Sequence, residues 1–326
     1  NFIANEICVH NSSDRPNFQN IPARDKEAMQ ITRGALFPRE GHQLLEVDFK
    51  SLEVAIAACY NNDPTMLSYL REGGDMHKDV AEQIFFIKNL DKHSEPGSTL
   101  RKATKNSFVF PQFYGDYYKN NAEGFCEWLK LPKRKKFRGK GIQFNDEKTI
   151  GDHLAENGIK SFGKKKKNSR GRISVTGFMG HIKEIEEDFW TNRFPVYYKW
   201  REKWWEKYLE NGYIDMYTGF RCKGVMGKNN ALNAPIQGTA FHCLLWSFIK
   251  LDQILRSWNT KIVGQIHDSI ILDVAPDELD QLIKLIKQIT EVDLPKAWTW
   301  INVPLSVEFE MAGVDQSMAE MEEIEI

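Results

Sequence analysis

Two strand-like peptides, each setting a carboxylate where an apolar segment ends or turns, constrain this 326-residue chain more than any other feature. Glu46-Val47-Asp48-Phe49 closes an apolar run that predicts a buried strand over 43–49. Gln265-Ile266-His267-Asp268-Ser269 lies inside 261–274, which reads as a hairpin with His267-Asp268 at or near its tip. If these strands pair, Asp48 and Asp268 converge on one spot. Two converging carboxylates suit a pair of Mg²⁺ ions, which take hard oxygen ligands and serve phosphoryl transfer.

Strands and helices alternate around these segments without βαβ spacing. Helices are predicted over 51–60, with Ser51 as N-cap, from Pro64, and from His77 toward Phe86. Residues 94–98 form a loop rich in Pro, Gly and Ser, and a basic, aromatic helix is expected over 100–118 with Pro111 inside it. An aromatic-rich segment at 184–210 carries a break or kink at Pro195, and 212–222 reads as a hairpin turning at Thr218-Gly219. A helix over 231–258, an amphipathic helix over 277–290 and a last strand over 303–310 complete the pattern. Hairpins mixed with helices imply an α+β fold, a sheet platform with a helical subdomain.

Hydrophobic residues make up 41% of the chain, enough for a sizeable core, and no apolar run approaches a membrane span. No secretory leader pattern opens it. The five cysteines are scattered with no CxxC pair, which argues against a zinc site or disulfide framework and fits a reducing interior. The net charge of −1 conceals a strong asymmetry. Residues 119–172 hold 16 Lys/Arg against 6 Asp/Glu, a local +10, leaving −11 for the rest. This stretch reads either as a solvated, partly disordered insertion or as an electrostatic contact to phosphates, and the two are compatible.

Three motifs in order make the chain resemble the palm and fingers of family A DNA polymerases, the group of bacterial DNA polymerase I and many phage replicases. Asp48-Phe49-Lys50-Ser51-Leu52-Glu53 is similar to motif A, Arg101-Lys102-Ala103-Thr104-Lys105 through Tyr114-Gly115 to motif B, and His267-Asp268-Ser269 to motif C. Pro16-Asn17-Phe18-Gln19-Asn20-Ile21-Pro22 and Asn233-Ala234-Pro235-Ile236-Gln237-Gly238-Thr239-Ala240 add two further stretches. The resemblance implies an antiparallel-sheet palm with a helical fingers subdomain of a polymerase right hand. It places palm at 12–75, fingers at 76–230 around the insertion, and palm again at 231–326. It also implies a template-directed DNA polymerase that adds dNTPs to a primer 3′-hydroxyl on primer-template DNA, in the cytoplasm of a bacterial or phage-infected cell.

Site residues follow from the matched positions. Asp48 and Asp268 are the expected catalytic metal ligands for two Mg²⁺ ions. Arg101 and Lys105, at i and i+4, share a helical face suited to triphosphate oxygens, and His77 resembles a family histidine near the same phosphates. The family's nucleotide-stacking aromatic is ambiguous here, because Lys105 to Tyr114 is one residue longer than usual. Phe110 is favoured over Val109 because stacking needs an aromatic face, with Phe108 left open. An extra helical residue is commonly absorbed as a π-bulge, and Pro111, lacking an N–H, tolerates one. Glu53 beside Tyr114 is implied to crowd the ribose 2′ position and so to favour dNTPs. Asn17, Gln19, Asn233, Gln237 and His267 are implied to contact DNA, with Asn233 and Gln237 suited to the minor-groove acceptors common to all base pairs. Two departures stand out. Lys50-Ser51 replaces the usual polar pair, and Ser269 stands where the family often has a third carboxylate.

Residues 1–11, ending Val9-His10-Asn11 before Ser12, resemble the C-terminal tail of an intein. Ser12 would be the nucleophile, Asn11 would cyclise through its side-chain amide, and His10 would move the proton. The upstream thumb and exonuclease half of the polymerase is then an expected partner. Two rival readings remain. A single-subunit RNA polymerase is disfavoured by Glu53, and a non-catalytic remnant would bind DNA through the basic stretch alone.

Overall fold

The computed structural model describes residues 26–167 and 173–325. Contact density divides the chain into two compact units, one formed by residues up to Asn62 together with those from Lys203, the other by Asp63–Glu202. The division drawn from the sequence was set at 75/76 and 230/231.

The first unit is built on a five-stranded sheet. Its strands are β1 (Gln43–Phe49), β2 (Lys261–Ile266), β3 (Ser269–Val274), β4 (Val307–Met311) and β5 (Glu322–Ile324), in the order β2-β3-β1-β4-β5 with every neighbour antiparallel. Period-two alternation gives the sheet two unlike faces. Leu45, Val47 and Phe49 of β1, Ile270 and Leu272 of β3 and Phe309 of β4 are buried on one of them. Val47, Phe49 and Ile270 line a small apolar cavity together with Leu244 and Leu251 of the helix Lys228–Leu255 and with Ile286 and Ile289, so helices cover this face. Each such buried side chain contributes roughly 1.5–3 kcal/mol. The other face carries Glu46 and Asp48, opposite Glu310 and Glu308 respectively.

Lys228–Leu255 tolerates an internal proline for a visible reason. Pro235 cannot donate to the Ala231 carbonyl one turn back, and that oxygen instead accepts from Trp204 Nε1 at 3.1 Å. Residues 212–222 do form the expected hairpin, Tyr213–Asp215 paired with Arg221–Lys223. Two expectations need correction. Ser51 holds the N-cap position of the helix Leu52–Asn61, but with φ 52° and no side-chain capping bond, so it acts as a left-handed turn. The last predicted strand begins at Val307, not at 303, and it is flanked by β5, which the sequence reading did not include.

The second unit is helical. Buried Asp63 organises two of its helices at once. One carboxylate oxygen accepts from Thr65 and Met66 N–H at the start of Pro64–Glu72, and the other accepts from Val196 and Tyr197 N–H, each at 3.0 Å, at the start of Pro195–Asn211. Met76–Phe85 follows, then Gly97–Thr104, which passes through a π turn at Lys105–Val109 into Phe110–Phe113. The predicted helix over 100–118 therefore stops short. Gly115 takes φ 88°, and a new helix, Tyr118–Trp128, begins beyond it.

Three π turns occur among the described residues, Lys105–Val109, Phe189–Arg193 and Gln288–Asp293, the last in the sheet unit. Each is followed two residues later by a proline, Pro111, Pro195 and Pro295. At each one the residue before the proline bonds five back, Phe110 to Lys105, Phe194 to Phe189 and Leu294 to Ile289. Widening the turn relieves the clash between a proline ring and the carbonyl four residues back.

The basic stretch is folded where it is described. Phe137, Ile150 and Leu154 are fully buried, Ile150–Glu156 starts with a Thr149–Asp152 capping box, and Lys165–Lys167 pairs with Ile173–Val175. No helix among the described residues is long and apolar enough to cross a membrane, and the four described cysteines are free and buried.

Candidate active site

Pairing of β1 with β3 brings the two sequence motifs together. Asp48 stands opposite Ser269, one residue from Asp268 in the two-residue turn of the β2–β3 hairpin. His267 makes that turn with φ 50° and, like Asp268, is exposed. Burial, then the charges of Asp268, Glu46 and Glu308, push the Asp48 carboxyl up to about 7. Asp48 Oδ1 is buried and has no hydrogen-bond partner. Crowded anions and an orphaned carboxylate oxygen call for a cation, and two carboxylates with open positions suit Mg²⁺, which keeps several waters and is commonly held by one or two carboxylates. Among the described residues no group of three or more His, Cys, Asp or Glu has metal-holding geometry, so water or substrate oxygens would complete the shell.

Ser269, where the family resemblance suggested a third carboxylate, has another use. Its hydroxyl lies 2.6 Å from Glu46 Oε1 and 2.9 Å from the Ile266 carbonyl, and its one proton donated to Glu46 ties the hairpin to β1. Sequence reasoning missed the surrounding acids. Glu46, Asp48, Glu308, Glu310 and Glu323 line one cavity of about 90 Å³. The alternation Val307-Glu308-Phe309-Glu310 signals a strand with one acidic face, but not that this face lies beside Asp48. Partial neutralisation comes from Arg33, 3.6 Å from Glu46, and Lys50, 2.8 Å from Glu308.

Asp268 opens instead onto a larger cleft of about 290 Å³, where Glu53, Gln237 and His267 join it. Glu53 comes from the first turn of Leu52–Asn61 and Gln237 from the middle of Lys228–Leu255. Asn233 lies one turn before Gln237 on the same helical face. Four sequence-predicted residues thus share one cleft.

In the helical unit a second predicted group assembles. Asp75 caps Met76–Phe85 by accepting from Lys78 N–H at 3.1 Å, and its other oxygen takes Arg101 Nε at 2.8 Å. Burial would raise the Asp75 carboxyl, but the Arg101 hydrogen bond, the cap and the charges of Arg101 and Lys92 outweigh it and hold it low. Lys105 Nζ lies 5.2 Å from the centre of the Phe110 ring, and the His77 ring meets Phe110 edge-on at 5.5 Å. Burial, then the charges of Arg101 and Lys105, depress His77 to about 4, and its buried Nδ1 has no hydrogen-bond partner. Cationic groups and a neutral imidazole beside a half-buried aromatic ring form a place for an anion carrying a flat ring. Phe108 is fully buried edge-on against Phe189, and Val109 is buried too, so of the three alternatives only Phe110 presents a face. Tyr114, at the end of the same helical run, is 37% exposed. His10, Asn11, Ser12, Asn17 and Gln19 lie outside the described residues.

The chain is 27% identical over 304 residues to DNA polymerase I of Lactococcus lactis subsp. lactis, a match spanning 91% of the chain and 28% of that protein. It is 24% identical over 308 residues to the thermostable DNA polymerase I of Thermus aquaticus (91% and 30%) and 25% identical over 300 to the DNA polymerase of Bacillus phage SP01 (86% and 27%). The chain therefore spans less than a third of the length of these relatives. Its fold matches the POL domain of Pol1 from M. smegmatis, solved in complex with DNA primer-template and dNTP, with a TM-score of 0.65 at 22% identity over 95% of this chain and 46% of that one. The family model described as "DNA polymerase family A" matches residues 10–133 and 184–316, and the chain belongs to that family.

Proposed function

We propose that this chain is the catalytic segment of a template-directed DNA polymerase, adding dNTPs to a primer 3′-hydroxyl. The observation that carries the reading is the β1–β3 register, which sets half-buried Asp48 opposite Ser269, the neighbour of Asp268, in a chain of this family. Asp48 and Asp268 would hold two Mg²⁺ ions. Bound there, the ions would supply charge neutralisation at the attacking hydroxyl and the leaving pyrophosphate.

The remaining roles belong to the chain's own side chains. Arg101 and Lys105 hold triphosphate oxygens by charge-assisted hydrogen bonds. Phe110 offers its ring to the incoming base, and His77 stays neutral beside it. Glu53 and Tyr114 act on the ribose, so that a 2′-hydroxyl is disfavoured. Gln237 and Asn233 contact base edges in the minor groove, and His267 contacts the primer end. Palm and fingers are the natural names for the sheet unit and the helical unit, and a cytoplasmic setting goes with the reading. The intein-like tail belongs to it as well. Its splice junction would be Asn11/Ser12, with Ser12 as nucleophile, Asn11 cyclising and His10 moving the proton.

Primer extension with dNTPs and NTPs in competition tests the reading, using the chain alone and supplied with the upstream half that the splicing proposal expects. Mg²⁺-dependent incorporation of dNTPs is expected, with Glu53→Ala admitting ribonucleotides. Preference for NTPs would favour the RNA polymerase, and DNA binding without extension the silent remnant.

A further inference from the structure

The family match stops at residue 133 and resumes at 184, so residues 134–183 lie outside it. They are folded where described, as shown above, and over 134–167 eleven Lys/Arg stand against four Asp/Glu. Of the eleven Lys/Arg at 134–167, Lys148 alone is ion-paired among the described residues, to Glu156. The run Lys133–Lys136 is exposed, and so is Lys164–Lys167.

Backbone contacts bring the two runs onto one substructure. Lys136 forms an antiparallel bridge with Ser161, and Phe137 N–H donates to the Lys160 carbonyl at 3.0 Å. Lys164 follows Ser161 by three residues, a span of at most ~11 Å. The root of the Lys165–Lys167/Ile173–Val175 ribbon is fixed where Gly163 (φ 96°) meets Gly177 (φ 64°) so closely that a Cβ on Gly163 would fall 1.6 Å from the Thr176 carbonyl oxygen. Across the ribbon the lysines face Val175, Ser174 and Ile173, none of which is acidic. Consecutive exposed lysines repel one another, and an unbalanced cationic surface of this kind attracts polyanions.

We propose that the two exposed basic runs, 133–136 and 164–167, form a phosphate-binding surface for the backbone of duplex DNA, independent of sequence. Two observations choose duplex over single strand. Binding of single strands relies on exposed aromatic platforms, whereas among the described residues of 134–183 no aromatic side chain is exposed, Phe137 and Phe178 are buried, and Ile173 is the one exposed large hydrophobic. A two-stranded ribbon, one strand of it Lys165–Lys167, is also an element that the major groove of B-DNA admits. DNA as partner rests on the polymerase reading, while the charge surface does not.

The test is fluorescence anisotropy of the full chain on a labelled mixed-sequence duplex of about 20 bp, with salt varied from about 50 to 200 mM. The variants are Lys164→Gln/Lys165→Gln/Lys166→Gln/Lys167→Gln and Arg134→Gln/Lys135→Gln/Lys136→Gln, all at exposed positions. Each removed phosphate contact should flatten the slope of log affinity against log salt by ~0.9, so the quadruple variant should lose about two to four units of slope and bind at least tenfold more weakly. An unchanged slope in both variants overturns the proposal. Equal weakening on a dT oligonucleotide overturns the choice of duplex. Lysine-dependent binding to phosphatidylserine–phosphatidylcholine vesicles, with duplex binding unaffected, would assign the surface to membranes instead. Failure of primer extension would sink the polymerase reading and leave these salt slopes to stand or fall separately.

Discussion

In the sheet unit the functional candidates are carboxylates crowded against carboxylates; in the helical unit they are cations gathered around a neutral histidine. Asp48 is pushed up to about 7 by burial and neighbouring anions, while His77 is pushed down to about 4 by burial and neighbouring cations. Both groups have a buried polar atom without a partner. The two places are unsatisfied in opposite senses. A cation relieves the first and an anion the second, which is what a reaction of Mg²⁺ ions with a nucleoside triphosphate requires.

Removing either side should show this contrast. The largest expected effect is in primer extension, where Asp48→Ala or Asp268→Ala should lose activity on the order of 10³-fold or more, since several kcal/mol of charge stabilisation are removed at 1.36 kcal/mol per decade. Near-normal extension by either variant would break the metal assignment. Next comes the division of labour between neighbouring aromatics. Phe108→Ala should destabilise the fold by about 3–5 kcal/mol as a large-to-small core change, measured by urea denaturation. Phe110→Ala should leave stability nearly intact and weaken dNTP binding by roughly 1–3 kcal/mol. Reversal of that pattern would move the base platform to Phe108.

The histidine gives a smaller and pH-dependent effect. His77 binds its proton less tightly when folded, so its contribution to stability is full above the unfolded value of 6.5 and is lost as pH falls toward about 4. The loss amounts to up to about 3 kcal/mol. His77→Gln should flatten the chain's stability profile across that window, and inorganic triphosphate should restore stability to the native chain at the acid end. A profile identical in both proteins would show that His77 does not carry the strain.

Much of this was readable before the fold was known, for physical reasons that differ by region. The pattern at 43–49 and the turn at His267-Asp268 fixed β1 and the β2–β3 hairpin, because alternation and a short turn leave little choice of register. The extra residue between Lys105 and Tyr114 pointed to a π turn, and one forms at Lys105–Val109. No such spacing marked the other two π turns; Pro195 was read as a break or kink, and Pro295 lies beyond the helix predicted over 277–290. The acidic cavity was not legible, since Glu308 and Glu310 gain meaning only when β4 pairs with β1 and places them opposite Asp48 and Glu46. Nor was the buried core of the basic stretch, where four apolar side chains, Phe137, Ile150, Leu154 and Phe178, are scattered among lysines and give no periodic signal.

The most direct measurement of the central claim needs no catalysis. The thermal midpoint of the chain is followed as Mg²⁺ is titrated, for the native protein and for the Asp48→Asn variant. Relief of carboxylate repulsion should give the variant the higher midpoint in the absence of metal, and Mg²⁺ should raise the native midpoint while leaving the variant's nearly unchanged. An equal Mg²⁺ response in both proteins would contradict the claim that Asp48, beside Asp268, is where the cation binds.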